Sequence, residues 1–281
     1  MTLFEAIVLG IVQGLTEFLP ISSSAHLRIT AAAAGWSDPG AAFTAVSQIG
    51  TELAVVIYFR HDIRAIASAW LRSLRDASYR GTPEARMGWL VILGSVPIAV
   101  LGLLFESQID SSLRDLRITA AMLIVFGILL GIADRVGAKR RTLDQLTVGH
   151  GIAYGFAQAL ALIPGVSRSG GTITAGLLLG YRREAAARYA FLLAVPAVFA
   201  SGFYKLTDIG GASTPPWLPT LVASVVAFGV GFMVIAWLMR YITTGSFLPF
   251  VVYRLVLGVA LLLLVGFGVL DPDAGLMGAG G

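Results

Sequence analysis

Two short runs hold most of the residue types that do chemistry: "QGLTEFLPISSSAHL" at 13–27 and "IPGVSRSGGTIT" at 163–174. In the first, Gln13 and Glu17 lie four apart, so a helix puts them on one face together with Gly10 and Gly14. Such a face packs closely while presenting a carboxylate. Pro20 then opposes further helix, and Ser22, Ser23 and Ser24 follow where backbone groups would be unpaired. Ser23 or Ser24 could cap a second half-helix through His26 and Leu27. In the second run Pro164 and Gly165 break the chain, and Ser167, Arg168 and Ser169 precede Gly170, Gly171 and Thr172. A half-helix over roughly 171–180 would aim free N–H groups at an anion. The glycines allow close approach, the hydroxyls donate, and Arg168 adds a permanent charge with a planar fork. A charge at bilayer depth costs roughly 2.5–3.5 kcal/mol on insertion scales, which argues for a purpose. The plainer readings are serines as caps, Glu17 as a bundle hydrogen-bonder and Arg168 as partner of a buried carboxylate. Taken together, the two runs favour a phosphate group.

Positioning these runs falls to membrane-spanning helices. The chain has 281 residues, 57% hydrophobic and 13% charged, with mean hydropathy +0.83. That is an integral membrane protein rather than a soluble domain. The absence of cysteine excludes disulfides and thiolate metal sites. A cleaved signal peptide is not expected, because the first charge is Glu5 and serines and His26 interrupt the apolar run. The net charge of +4 fits membrane topology better than nucleic-acid binding. There is no zinc spacing, Walker loop or Rossmann fingerprint.

Six segments read as full spans, about 41–59, 87–105, 117–135, 185–204, 217–239 and 247–270. Two more, about 3–34 and 148–180, are interrupted by Pro, Gly and Ser. Basic residues cluster at 60–86, 135–141, 182–188 and Arg240, which places those regions in the cytoplasm. Both flanks of 148–180 are then cytoplasmic, so that segment enters and returns. Treating 3–34 alike gives each half one re-entrant hairpin and three spans, and opposite orientations. The expected fold is therefore an all-α integral membrane protein with six transmembrane helices and two re-entrant helical hairpins in an inverted-topology repeat. It forms one membrane domain over 1–281, with halves about 1–140 and 145–270 and a flexible tail at 271–281. Gly10, Gly14 and Glu17 recur in spacing as Gly151, Gly155 and Gln158, and Pro20 and Ser23 as Pro164 and Ser167. In such folds the site lies near the midplane, between the repeats. The arginine-rich segment 64–76 is expected to lie in the interface as an amphipathic helix.

The two motifs, in this order and with this internal spacing, resemble the undecaprenyl pyrophosphate phosphatase family, also called bacitracin-resistance proteins. The likeness covers nearly the whole chain and includes Tyr253-Arg254. Gln13 stands where many members carry glutamate, so it can be neither base nor anionic ligand. The resemblance implies hydrolysis of a polyprenyl pyrophosphate to the monophosphate lipid carrier of cell-wall synthesis. It also implies a bacterial cytoplasmic membrane and a site opening to the outer face. On that reading Arg168 clamps the transferring phosphoryl group, with Gln13, Ser22, Ser167, Ser169, Thr172 and the N–H groups of Gly170 and Gly171 binding substrate. Glu17 activates Ser23 as nucleophile and His26 protonates the leaving group; attack by water or by His26 remains open at this point. Glu17 alone is a thin ligand set, so a Mg²⁺ or Ca²⁺ ion would be held mostly through substrate phosphates. The expected partners are the polyprenyl pyrophosphate and membrane lipids, not nucleic acid, and a homodimer is left open. A lipid-phosphate flippase or secondary transporter using the same anion site is the rival function. Gln48 and Glu52 share a face and are read as site neighbours or bundle hydrogen-bonders. Arg254 is expected to snorkel or pair near the cytoplasmic boundary.

Overall fold

Helix is the only way for these apolar runs to satisfy their backbone inside lipid. The computed structural model describes residues 1–110, 112–206 and 216–273, and among them no β-strand occurs. In chain order the helices are α1 (Leu3–Thr16), α2 (Ser23–Ala33), α3 (Gly40–Tyr58), α4 (Arg60–Ser73), α5 (Pro83–Leu104), α6 (Glu106–Asp110), α7 (Leu116–Val136), α8 (Val148–Ala159), α9 (Arg168–Leu178), α10 (Arg183–Lys205), α11 (Trp217–Tyr241) and α12 (Leu248–Gly266). Six of them, α3, α5, α7, α10, α11 and α12, run 19 to 25 residues and are apolar enough to cross a bilayer. Their limits fall within a few residues of the six expected spans.

Local chemistry sets the helix starts. Thr2 and Glu5 form a capping box at α1, each side chain accepting the other's backbone N–H. Thr82 caps α5, with Pro83 at its first position. The two interrupted segments break where the prolines predict. α1 stops at Thr16, and α2 starts only after Ser22, at φ 74°. α8 stops at Ala159, and α9 starts after Ser167, at φ 72°. A non-glycine residue in this region costs on the order of 1–3 kcal/mol and persists only where surroundings impose it. Ser22 and Ser167 thus share a left-handed backbone conformation at the two breaks. Gly165 has φ 97°, and a Cβ there would come within 2.4 Å of the Thr119 carbonyl oxygen, so only glycine fits.

Each interrupted segment doubles back on itself. Phe4 of α1 meets Trp36, just beyond α2, edge to face at 6.2 Å. His150 Nδ1 of α8 lies 2.7 Å from the Tyr181 hydroxyl, just beyond α9. Around these hairpins α1 packs on α11, α8 on α5, α3 on α10 and α11, and α7 on α12. The α3–α11 contact is backbone to backbone: a Cβ on Gly50 would stand 2.0 Å from the Ser224 carbonyl oxygen. Phe18, at the first break, sits edge-on to Phe191 of α10 at 5.6 Å in the main apolar core.

Ion pairs mark two opposite ends. At one end Arg183 binds Asp134 at 2.6 Å, and Arg188 binds Asp62. α4 lies at this end with Leu71 exposed among its arginines, and Leu74, just past its last residue, is exposed too. At the other end Asp38 takes both Arg114 Nη2, at 2.6 Å, and Arg28 Nη1, at 3.6 Å. The Pro272 carbonyl there accepts the Leu116 N–H, so residues 271–273 pack on α7. The rest of the expected flexible tail lies outside the described residues.

Candidate active site at the hairpin tips

Because α1 remains helical through its last turn, Gln13 and Glu17 face the same way, and Gln13 Nε2 donates to Glu17 Oε2 at 2.7 Å. Ser23, the first residue of α2, donates its hydroxyl to the same oxygen at 2.6 Å. The other carboxylate oxygen, Oε1, receives Arg168 Nη2 from the first residue of α9 at 2.7 Å. That same nitrogen donates to Gln48 Oε1 of α3 at 3.0 Å. The pairing of Arg168 with a buried carboxylate is therefore real, and the carboxylate is Glu17. Nη2 carries both bonds, which leaves the Nε and Nη1 donors of the guanidinium unused by the described residues.

Further bonds hold the tips together. The Gly165 N–H donates to Ser22 Oγ at 3.2 Å, and Ser169 Oγ donates to the Leu19 carbonyl at 3.1 Å. Arg254 of α12 completes the joint. Its Nε donates to Leu123 O, its Nη1 to Pro20 O, and its Nη2 to the carbonyls of Met122, Gly165 and Val166 at 2.8–3.2 Å. It is fully buried, so the expectation that it snorkels to the boundary is corrected. Broken helices leave carbonyls without intrahelical partners, and a planar five-donor fork satisfies several at once.

A cavity of about 610 Å³ opens above this joint. Glu17, Ser22, Ser23, Ser24, Gln48, Ser167 and Arg168 line its polar floor, and α5 and α10 supply apolar walls. Glu106, Arg114, Tyr204 and Lys205 stand at its outer part. That is the end carrying Asp38. Burial alone would push the Asp38 carboxyl up, but Arg114 and Arg28 outweigh it and hold it below the ordinary carboxylate range.

Of the residues expected to act, Glu17, Ser22, Ser23, Ser167 and Arg168 reach the cavity; Gln13, Ser169, Gly170, Gly171 and Thr172 are buried away from it, and His26, partly exposed, does not line it. Each has a physical reason. α9 begins at Arg168 rather than 171, because Ser167 Oγ accepts the Gly170 N–H at 3.0 Å. The Gly171 N–H goes to Ser167 O, so neither glycine offers a free donor. Thr172 Oγ1 bonds back to Arg168 O at 2.7 Å. Ser169 staples the hairpins, and Gln13 supports Glu17 from behind. Ser167 caps the start of α9 through the Gly170 N–H, while the start of α2 has no side-chain cap.

His26 lies between Ser22 and α12. Its Nδ1 is 2.7 Å from Ser22 O and its Nε2 2.7 Å from the Tyr253 hydroxyl. A carbonyl only accepts, so Nδ1 carries a proton, and in the neutral ring Nε2 accepts from Tyr253. Sequence reasoning undervalued Gln48 and missed the bonds of Tyr253 and Arg254. A glutamine–glutamate pair four apart inside a span was the available signal for the first.

Among the described residues no group of three His, Asp or Glu side chains could hold a metal ion. Glu17 is the carboxylate at the tips, and both its oxygens are already bonded. A divalent cation would fit only by taking most of its oxygens from phosphate and water.

Known proteins match this chain closely. The family model described as bacitracin resistance protein BacA matches residues 6–260. A Thermobifida fusca protein named undecaprenyl-diphosphatase is 63% identical over 275 residues, covering 98% of this chain and 94% of the relative. Undecaprenyl-diphosphatase 2 of Streptomyces coelicolor is 60% identical over 286 residues, 98% of each. The undecaprenyl-diphosphatase of Micrococcus luteus is 61% identical over 276 residues, covering 96% of this chain and all of the relative.

Proposed function

The chain belongs to the bacitracin resistance protein BacA family, and we propose that it hydrolyses undecaprenyl pyrophosphate to the monophosphate and inorganic phosphate. That reaction recycles the lipid carrier of cell-wall synthesis and confers bacitracin resistance. The observation that carries this reading is the Ser23–Glu17–Arg168 chain of hydrogen bonds on the floor of a largely apolar cavity.

The pyrophosphate enters with its terminal phosphoryl group over Ser23 and against the unused donors of Arg168. Ser23 passes its proton to Glu17 Oε2, and its oxygen bonds to the terminal phosphorus as the bridging P–O bond breaks. The lipid leaves as the monophosphate, taking from Glu17 the proton that Ser23 gave up, so that Glu17 is again a carboxylate. Water then attacks the phosphoserine, Glu17 takes the water's proton, inorganic phosphate departs and Ser23 regains a proton. Arg168 and the uncapped start of α2 stabilise the charge gathered on the phosphoryl oxygens. Attack by His26 is disfavoured because both ring nitrogens are engaged and it does not line the cavity. Its role becomes positioning: it holds the carbonyl of the left-handed Ser22. A divalent cation, when bound beside Glu17, would neutralise phosphate charge.

The two interrupted segments are re-entrant hairpins of an inverted repeat. Supporting this are the paired left-handed serines Ser22 and Ser167 and the matching contacts of α1 with α11 and α8 with α5. The cavity opens away from the arginine-rich end, which by the positive-inside rule supports an outward-facing site in a bacterial cytoplasmic membrane. Phosphate release by the purified protein in detergent tests the enzyme reading. Absence of release from folded protein, with lipid flux in liposomes, would instead establish a flippase.

A further inference from the structure

We propose that Tyr253 is a positioning residue for the reaction: its hydroxyl anchors the His26 ring at Nε2, so that the Nδ1 hydrogen holds the Ser22 carbonyl and, through it, the attacking Ser23. This rests on the reading of Ser23 as the nucleophile of a pyrophosphate hydrolase and carries it to a side chain on α12.

Two short bonds make the connection. The Tyr253 hydroxyl lies 2.7 Å from His26 Nε2, and His26 Nδ1 lies 2.7 Å from Ser22 O. A carbonyl has no proton to give, so this orientation requires the ring hydrogen on Nδ1. The other neutral form would turn a lone pair toward the carbonyl. Which nitrogen carries the hydrogen is set by the partner of each, and Tyr253, donating to Nε2, favours the form that Ser22 needs. The two rings lie within 11° of parallel, with centroids 5.5 Å apart, so replacing tyrosine by phenylalanine keeps the packing and removes the bond.

A tyrosine hydroxyl at bilayer depth takes a partner in any case. What gives this one a role is where the bonds end. Ser22 sits at φ 74° and ψ 96°, a conformation that persists only where neighbours impose it. Three donors do so: the His26 N–H and His26 Nδ1 on its carbonyl, and the Gly165 N–H on its hydroxyl oxygen. The Nδ1 bond is the shortest of the three, the other two being 3.2 Å. Ser23 follows directly, and its hydroxyl stands 2.6 Å from Glu17 Oε2, the oxygen that takes its proton. Reacting groups tolerate little displacement: about 1 Å can lower a rate on the order of a hundredfold. Arg254 meanwhile donates to Pro20 O, so adjacent residues of α12 hold this break at Pro20 and at Ser22.

The test uses full-length purified protein and phosphate release from undecaprenyl pyrophosphate. Tyr253→Phe should lower kcat about tenfold, as for one lost hydrogen bond, while KM stays within about twofold. His26→Asn sets an amide N–H where Nδ1 stood and should stay within about tenfold of wild type, whereas His26→Ala should lose about a hundredfold. In the His26→Asn background Tyr253→Phe should add little, because the bond it removes is already gone. His26→Asn as impaired as His26→Ala, or a Tyr253→Phe loss undiminished in that background, would overturn this role. A second arm needs no turnover: nitrogen NMR of protein carrying isotope-labelled histidine, with His26→Asn identifying one signal among the three histidines. Wild type should show hydrogen on Nδ1 and none on Nε2, and Tyr253→Phe should shift both nitrogens. Hydrogen on Nε2 in wild type, or signals indifferent to Tyr253→Phe, would equally overturn it. Folded wild type that releases no phosphate would sink the hydrolase reading, while the NMR arm still decides whether Tyr253 holds His26.

Discussion

Arg168 Nη2 stands 2.7 Å from Glu17 Oε1 across 151 residues of sequence, joining the tips of hairpins from opposite halves of the chain. Neither half contains the site alone. The carboxylate and the serine come from the first hairpin and the guanidinium from the second. With Nη2 committed to Glu17 and Gln48, the rest of the fork is held toward the cavity.

Glu17→Gln should therefore slow turnover about a hundredfold to ten-thousandfold, the range for losing a general base. Substrate binding should persist, because Arg168 is released rather than removed. Single-turnover rates beside equilibrium binding separate the two effects; a variant that binds poorly but turns over normally would contradict the base assignment.

Arg168→Lys keeps the charge but cannot bridge Glu17 and Gln48 while still presenting donors to phosphate. Its kcat should fall about a thousandfold, the lower range for a phosphoryl-clamping arginine. Gln48→Leu removes one anchor only, so a milder loss is expected. Steady-state kinetics that ranked the two in reverse would disprove the anchoring.

Replacing Arg254 should damage the fold itself. Arg254→Met leaves the carbonyls of Pro20, Gly165 and Val166, which lie in the breaks, without this donor, and each buried unsatisfied group costs about 1–3 kcal/mol. A large fall in Tm in detergent is expected, with little rescue by Arg254→Lys, whose donors radiate from one point. A Tm within a few degrees of wild type would show the joint to be dispensable.

The ion-pair cluster around Asp38 should respond to acid. Asp38 is held below its ordinary range in the folded protein, so its contribution is present above the unfolded value of about 3.9 and is lost as pH falls through the lower folded value. The Tm gap between wild type and Asp38→Asn should stay level from pH 7 to about pH 5 and narrow below about pH 4. A gap that narrowed instead on raising the pH would reverse the sign of the argument.

Much of this was legible in the sequence because lipid leaves so few options. Six runs of sufficient length and apolarity had to be helices, and Pro20 and Pro164 marked the breaks. Glu17, Ser23 and Arg168 stood out because charged and hydroxyl residues are expensive there. What escaped were contacts whose partners have no residue-type signature. Arg254 binds main-chain carbonyls, which any sequence supplies. The bond of His26 Nε2 to Tyr253, more than two hundred residues away, has no signature in the sequence either. The start of α9 shifted because Ser167 caps its own helix, which turned Gly170 and Gly171 from free donors into helix interior.

The central claim is that Ser23, Glu17 and Arg168 act as one unit on the terminal phosphate. Phosphate release from undecaprenyl pyrophosphate by purified wild type, Ser23→Ala, Arg168→Ala and the double variant tests it most directly. Groups acting as a unit are non-additive, so each single change should abolish most turnover and the double should be scarcely worse. Near-normal release by Ser23→Ala would contradict the account and hand the attack to water.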